Sequence, residues 1–131
     1  MPKERLYPKG MWKPQGSYSQ VVITEPGRMV FLAGQVAVDE EGKTIGIGDV
    51  RAQAKQALQN IKRGVEAAGG TLSDIVTMTV FTTDARYHSD VNAVRREFFG
   101  SDFPASTMVQ AVALARPELL IEINATAVIS K

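Results

Sequence analysis

Few side chains in this sequence could carry chemistry on their own, and the residue types that are missing exclude several mechanisms. The 131 residues include one histidine, His88, and no cysteine. Acid–base catalysis by a pair of histidines, thiol catalysis, and a zinc site of histidine and cysteine are therefore excluded. Binding, or catalysis that needs neither a metal nor a cofactor, is what these residue types leave.

The most distinctive polar residues lie along the last predicted strand, whose two faces differ. One face carries Leu119, Ile121, Ile123, Ala125 and Ala127, and the other carries Leu120, Glu122, Asn124, Thr126 and Val128. The first face suits helices packed on it. The second is half-polar, and the neighbouring strands continue it with Thr77, Thr79, Thr107 and Gln110. Because no predicted helix is left to cover this second face, it is either solvated or buried against other copies of the chain.

The charges nearly cancel, with 15 Lys and Arg against 14 Asp and Glu. Nucleic-acid backbones are bound by several basic side chains on one face, and a net charge of +1 provides no general field of this kind. A basic stretch at the N-terminus contains Lys3, Arg5, Lys9 and Lys13. We interpret it as a solvated, partly mobile terminus rather than an RNA contact.

Length and hydropathy indicate one domain, residues 1–131, located in the cytoplasm. A chain of this size buries roughly two thirds of its unfolded surface and can form a core without disulfides. Its apolar runs are far shorter than the roughly 20 residues of a membrane span. Residues 1–6 lack the apolar segment of a signal peptide.

The periodicity of apolar residues predicts an α+β fold with the order β-β-β-α-β-α-β-β. Asp49 is a typical N-cap for the long first helix, and Gly69-Gly70 is a typical end for it. A second helix carries Tyr87, Val91, Val94 and Phe98 on its apolar face and ends before Gly100. The predicted strands are an edge segment around 5–7, a hairpin of 21–23 with 29–32 turning at 25–27, and segments 75–82, 107–114 and 119–129.

Several stretches, in order along the whole chain, match one family pattern. Gly16-Ser17-Tyr18-Ser19-Gln20 is similar to Gly-Pro-Tyr-Ser-Gln, and Leu32-Ala33-Gly34-Gln35 to a strand ending in Ser-Gly-Gln. The helix ending Glu66-Ala67-Ala68-Gly69, the pair Pro104-Ala105, and Ile121-Glu122-Ile123 continue the match. The chain thus resembles the Rid family, also called the YjgF/YER057c/UK114 family.

This resemblance implies a chorismate-mutase-like fold: a mixed β-sheet with two helices packed on one face. It also implies a homotrimer in which the sheets surround a β-barrel-like core, with a small-molecule pocket at each subunit interface. The activity it implies is hydrolysis of reactive enamines and imines, such as 2-aminoacrylate, to a keto acid and ammonia. No cofactor, membrane or nucleic-acid partner is expected.

The sequence departs from the family pattern at three positions. Ser106 follows Pro104-Ala105, where active members have an arginine that grips the substrate carboxylate. Ala33 and Ser17 replace a serine and a proline. Losing a charge-assisted hydrogen bond costs roughly 1.5–3 kcal/mol, so we expect either weak activity or a substrate without a carboxylate.

By resemblance, Glu122 is the catalytic residue, orienting or deprotonating the attacking water, and Tyr18 closes the pocket. The other expected substrate contacts are Ala33, Gly34, Gln35, Asn92, Ala105 and Ser106. Three of these residues have alternative roles: Glu122 could be a partly buried strand residue paired with a basic neighbour or a partner subunit, Tyr18 could pack its loop onto the sheet, and Asn92 could hold neighbouring loops.

Three further residues are open at this point. Arg116 could supply the missing cation from a neighbouring subunit, Trp12 could line the pocket or anchor a loop, and His88 is expected at the surface.

We expect an imine or enamine deaminase with altered specificity. The alternative is a non-catalytic trimer of the same fold that binds small molecules or proteins. Endoribonuclease activity, which the family's older names carry, fits poorly with one histidine and a charge of +1.

Overall fold

A four-stranded sheet carries both helices on one of its faces. The structure, a computed structural model, describes residues 3–130. The strands are β1 (Glu4–Leu6), β2 (Val21–Ile23), β3 (Arg28–Val36), β4 (Ile75–Thr82), β5 (Ala105–Gln110) and β6 (Ile121–Ile129), and the helices are α1 (Val50–Ala67) and α2 (His88–Phe99). This order confirms the predicted α+β fold. Neither helix in residues 3–130 has the combination of length and hydropathy that a membrane span requires.

Helix α1 begins and ends where its sequence signals place it. The Asp49 side chain accepts a hydrogen bond from the Ala52 amide at 3.1 Å. At the other end Gly69 has a φ of +94°, and the Gly70 amide donates to the Val65 carbonyl at 2.9 Å. The left-handed residue lets the chain leave the helix while its last carbonyls stay hydrogen-bonded.

The strand order in the main sheet is β3-β6-β4-β5, with β4 and β5 parallel and the other neighbours antiparallel. The core lies between this sheet and the helices, and its fully buried members include Leu58, Ile61, Ile75, Ile121 and Ile123. The opposite face of the sheet is uncovered, and Phe31 is 73% exposed there. Within one chain the sheet is open and does not close into a barrel.

The predicted hairpin of β2 and β3 is wrong. β2 pairs with β1 in a separate two-stranded sheet, and β3 pairs with β6. The chain bends at Pro26 between the two strands, but a bend does not determine which strands become partners. β5 also differs from its prediction, since it begins at Ala105 and ends at Gln110. Gln110 lies opposite the buried Thr82, so it is not part of the uncovered face.

The N-terminal stretch is fixed to the fold at Lys3, contrary to the expectation of a solvated terminus. The Lys3 side chain is 3% exposed, and its ammonium donates to the Ile75 carbonyl at 2.8 Å. It lies 3.7 Å from a carboxylate oxygen of Asp102. Burial lowers the pKa of Lys3, and the Asp102 carboxylate opposes this shift. Lys9 and Lys13 are exposed, as expected.

Candidate functional site

A cavity of about 350 Å³ opens beside β5, the edge strand of the main sheet. Its walls come from the loop before β2, the end of β4 and the segment after it, helix α2, and the side chains of β5. The lining residues that matter for chemistry are Tyr18, His88, Arg95 and Ser106, with Met108 adding apolar surface. A partly apolar concavity with a few convergent polar groups is typical of small-molecule sites.

Arg95 provides the charge in this cavity, although it is only 1% exposed. Its Nε donates to Oγ of Ser17 at 2.8 Å, and its Nη1 donates to Oγ of Ser106 at 2.7 Å. Within residues 3–130, no carboxylate forms an ion pair with it. Its Nη2 has no acceptor there either, and this atom is not enclosed by protein. The guanidinium thus keeps unused donor capacity toward the cavity.

The charge on Arg95 persists at neutral pH despite its burial. Loss of solvation lowers its pKa to about 10, and the nearby charge of Arg96 acts in the same direction. The Tyr18 hydroxyl acts in the opposite direction. Because a pKa near 10 still leaves the guanidinium protonated at pH 7, this wall of the cavity is cationic.

Hydrogen bonds hold the loop that carries Tyr18 at the residue before the tyrosine and at the residue after it. Asn92 accepts two hydrogen bonds through Oδ1, from the Ser17 amide at 3.1 Å and from its Oγ at 2.6 Å. On the other side, Ser19 donates to the Phe103 carbonyl through Oγ at 2.6 Å and to the Pro104 carbonyl through its amide at 3.0 Å. Asn92 therefore holds the loop against α2, while its predicted contact with substrate stays a prediction.

A second group of predicted residues lies around a bulge in β3. Ala33 and Gly34 together oppose the single residue Asn124 of β6, which shifts the strand register. The bulge places Gly34 against the Glu122 carboxylate, so closely that a Cβ on Gly34 would overlap Oε2. In the described part of the chain, Glu122 forms no ion pair, contrary to the alternative of a basic neighbour.

The two groups lie on opposite faces of the sheet within one chain. Ser106 is registered beside Met78, whose side chain is buried under the helices. Glu122 is registered beside Phe81, on the uncovered face. Gln35 points toward the helix side and lines a different, polar cavity with Asn60 and Arg63. One chain alone therefore does not bring Glu122 and Ser106 to a common site.

Comparisons with known proteins agree with this architecture. The sequence profile of a family described as Endoribonuclease L-PSP matches residues 10–129. A RutC family protein from Pyrococcus horikoshii is 38% identical over 125 residues, which cover 95% of this chain and 97% of the relative. The crystal structure of the Rid family protein YyfB from Yersinia pestis is 33% identical, with a TM-score of 0.90, covering 98% of this chain and 100% of the other.

The chain belongs to the Rid family. The E. coli YjgF structure is also similar, at 39% identity and a TM-score of 0.71 over 88% of this chain and 90% of the other. The resemblance drawn from the sequence motifs is thereby confirmed, and so is the fold that it implied.

Three residues left open by the sequence of this Rid protein can now be placed. Arg116 donates through Nη1 to the Gly42 carbonyl at 2.7 Å and to Thr44 Oγ1 at 3.1 Å, so it is engaged within its own chain. Trp12 is exposed and does not line the cavity beside β5. His88 is exposed, as expected, but it also forms part of the cavity wall. In the described residues, no cluster of acidic and histidine side chains could hold a metal ion.

The residue that sequence reasoning missed in this Rid protein is Arg95. Its acceptors, Ser17 and Ser106, are two of the three positions at which we expect a departure from the Rid pattern. A signal for it existed: Arg95 follows Val91 by four residues, so both lie on the buried side of α2. Arginine is rarely buried without a partner, which is why a helix pattern built on apolar residues passes over it.

Proposed function

We propose that this Rid protein is an imine or enamine deaminase that hydrolyses a C=N bond and releases ammonia. The observation that supports this most is the Glu122 carboxylate, which lies on the uncovered sheet face without an ion pair to the described residues and against the exposed backbone of Gly34. A carboxylate held in this way is suited to accept a proton from water.

We also propose that the working unit is a homotrimer with a site wherever two copies meet. The uncovered sheet face carries exposed apolar side chains, Met29, Phe31 and Val109 among them, which other copies would bury. Since Glu122 and Ser106 lie on opposite faces of one sheet, Glu122 of one copy would face the β5 cavity of another. We propose as well that the sheets of the trimer surround a barrel-like core and that the protein is cytoplasmic, as expected from the sequence.

The proposed reaction needs one positioned water and one proton carrier. The water oxygen bonds to the carbon of the C=N group as the π electrons of that bond move to nitrogen, and Glu122 takes a proton from the water and passes it to the nitrogen. In the resulting carbinolamine Glu122 takes the hydroxyl proton and passes it to nitrogen, a C=O bond forms as the C–N bond breaks, and nitrogen leaves as ammonia. The net change is imine plus water giving carbonyl compound plus ammonia. Placing the water and substrate together supplies much of the acceleration.

The test follows ammonia release from 2-iminopropanoate generated in solution and from larger, neutral enamines. We expect release above the uncatalysed rate, and a loss of about 100-fold or more in Glu122→Gln, in line with the usual contribution of a positioned base. The matched control is Glu66→Gln, because Glu66 is exposed on α1. Wild-type protein that accelerates neither set of substrates would overturn the proposal and favour the non-catalytic binding trimer. A Glu122→Gln variant with unchanged rates would overturn the role of Glu122.

A further inference from the structure

We propose that Arg95, together with the hydroxyl of Ser106, forms a binding site for a small carboxylate in the cavity beside β5. The inference deepens the proposed function, because it assigns the group that recognises the substrate's charge to helix α2. The sequence alone led to the expectation of a site without such a cation.

The first support is that Arg95 is a buried cation with no counter-ion among the described residues. Burying a charge is unfavourable unless it is paired or serves a purpose that offsets the cost. Every acceptor that Arg95 uses is neutral: the oxygens of Ser17 and Ser106, with the Met78 sulfur at 3.7 Å from Nη1. An anion entering the cavity would provide the missing compensation.

The second support is geometric. Ser17 and Ser106 hold the guanidinium through Nε and Nη1, which fixes its plane, while Nη2 has no acceptor in residues 3–130. A carboxylate in the cavity can accept from Nη2 and from Nη1 or the Ser106 hydroxyl, whose proton is free to turn toward it. Such charge-assisted pairs are the stronger class of hydrogen bonds in proteins.

The lining also favours a carboxylate over a phosphate. Among the cavity-lining residues in the described part of the chain, Arg95 is the one permanent cation, and the other walls include Ala85, Met108 and Val109. One cation beside apolar surface balances a monoanion with a short carbon chain. A phosphate dianion would keep excess negative charge in the same space.

The direct test uses propanoate, which cannot be hydrolysed, and propanamide, its neutral counterpart. The Arg95 Nε–Hε signal is followed by two-dimensional ¹⁵N NMR at constant ionic strength. We expect a saturable shift with propanoate and none with propanamide. No shift with propanoate, an equal shift with propanamide, or tighter binding of inorganic phosphate would overturn the inference. This readout needs no variant and no catalysis.

Variants then test the same assignment by affinity. Arg95→Met should weaken propanoate binding by about 10- to 100-fold, as expected for loss of a charge-assisted pair. Arg96→Met is the control, because Arg96 is exposed on the next position of α2 and donates to the Gln15 carbonyl; we expect less than a threefold change. Unchanged affinity in a folded Arg95→Met variant would overturn the inference. The proposed function would then still be decided by the hydrolysis of neutral enamines, because these substrates have no carboxylate for Arg95 to bind.

Discussion

The carboxylate of Glu122 lies directly against the backbone of Gly34, across the strand boundary between β6 and β3. A Cβ at position 34 would overlap Oε2 and approach Cδ at 2.8 Å. The backbone conformation of Gly34 is not left-handed, so glycine is needed here for space and not for its dihedral angles. The glycine therefore sets where the Glu122 carboxylate lies.

Gly34→Ala is predicted to reduce turnover by about 100-fold, because a misplacement of about 1 Å at a catalytic group is enough for such a loss. The melting temperature should change little, since the nearest atoms that the new Cβ meets belong to the Glu122 side chain, whose end can move aside. Ammonia release and thermal unfolding measure the two effects separately. In a Glu122→Ala background the same substitution should cause no further loss, because the colliding carboxylate is gone. Wild-type turnover in the single variant would contradict the prediction.

Ser17→Ala is predicted to destabilise the protein by about 1–3 kcal/mol, the usual cost of leaving buried polar groups unsatisfied. The Ser17 hydroxyl donates to Asn92 and accepts from Arg95, and the residue is fully buried. Urea unfolding at one fixed protomer concentration measures the change. Ser101→Ala is the matched control, because Ser101 is exposed. Equal midpoints for the two variants would show that the network contributes nothing.

The elements that the sequence predicted correctly are those with signals at both ends. Helix α1 has its cap at Asp49, its left-handed glycine at Gly69 and an apolar stripe between them. Strand β4 consists mainly of β-branched residues, and the residues of β6 alternate between buried and partly buried from 121 to 127. Local signals of this kind depend on neighbouring residues only, so one sequence is sufficient to read them.

The pairing of the strands and the buried charge of Arg95 were harder to predict, because both depend on residues that are far apart in the sequence. The turn before Arg28 is visible, but the pairing of β3 with β6 depends on residues about 100 positions apart. Likewise the contact between Arg95 and Ser106 forms only when α2 packs on β5. Ser106 and Glu122 lie on opposite faces because of how their strands pair in the sheet, and the sequence around either residue does not predict that pairing.

Phe31→Asp is predicted to convert the proposed trimer into monomers. Phe31 is 73% exposed on the uncovered sheet face, where a carboxylate would have to be buried between copies. Sedimentation velocity measures the assembly. Ile47→Asp serves as the control, because Ile47 is 71% exposed in the loop before α1 and lies outside the sheet. A variant that sediments like the wild type would show that this face is not an interface.

Propanoate affinity is predicted to stay level from pH 7 to 9 and to fall as the pH passes 10. The reason is that burial lowers the pKa of Arg95 to about 10, so the guanidinium loses its proton above that pH. Bound anion stabilises the charged form, so saturation should shift the midpoint upward. Calorimetric titrations measure the profile. The side chains of His88 and Tyr18 also line the cavity and can gain or lose a proton. The profile is therefore repeated with His88→Gln and Tyr18→Phe, which separate their protonation from that of Arg95. Affinity that is constant to pH 11 would contradict the role of Arg95.

The two serines beside Tyr18 have a consequence for how a ligand enters. Ser17 is fastened to α2 and Ser19 to the chain just before β5, so the backbone under the ring has almost no freedom to swing. A preformed wall of this kind requires little ordering when a ligand binds, which favours affinity. Closure of the pocket by Tyr18, as predicted from the sequence, would then come from rotation of its side chain and not from movement of the loop.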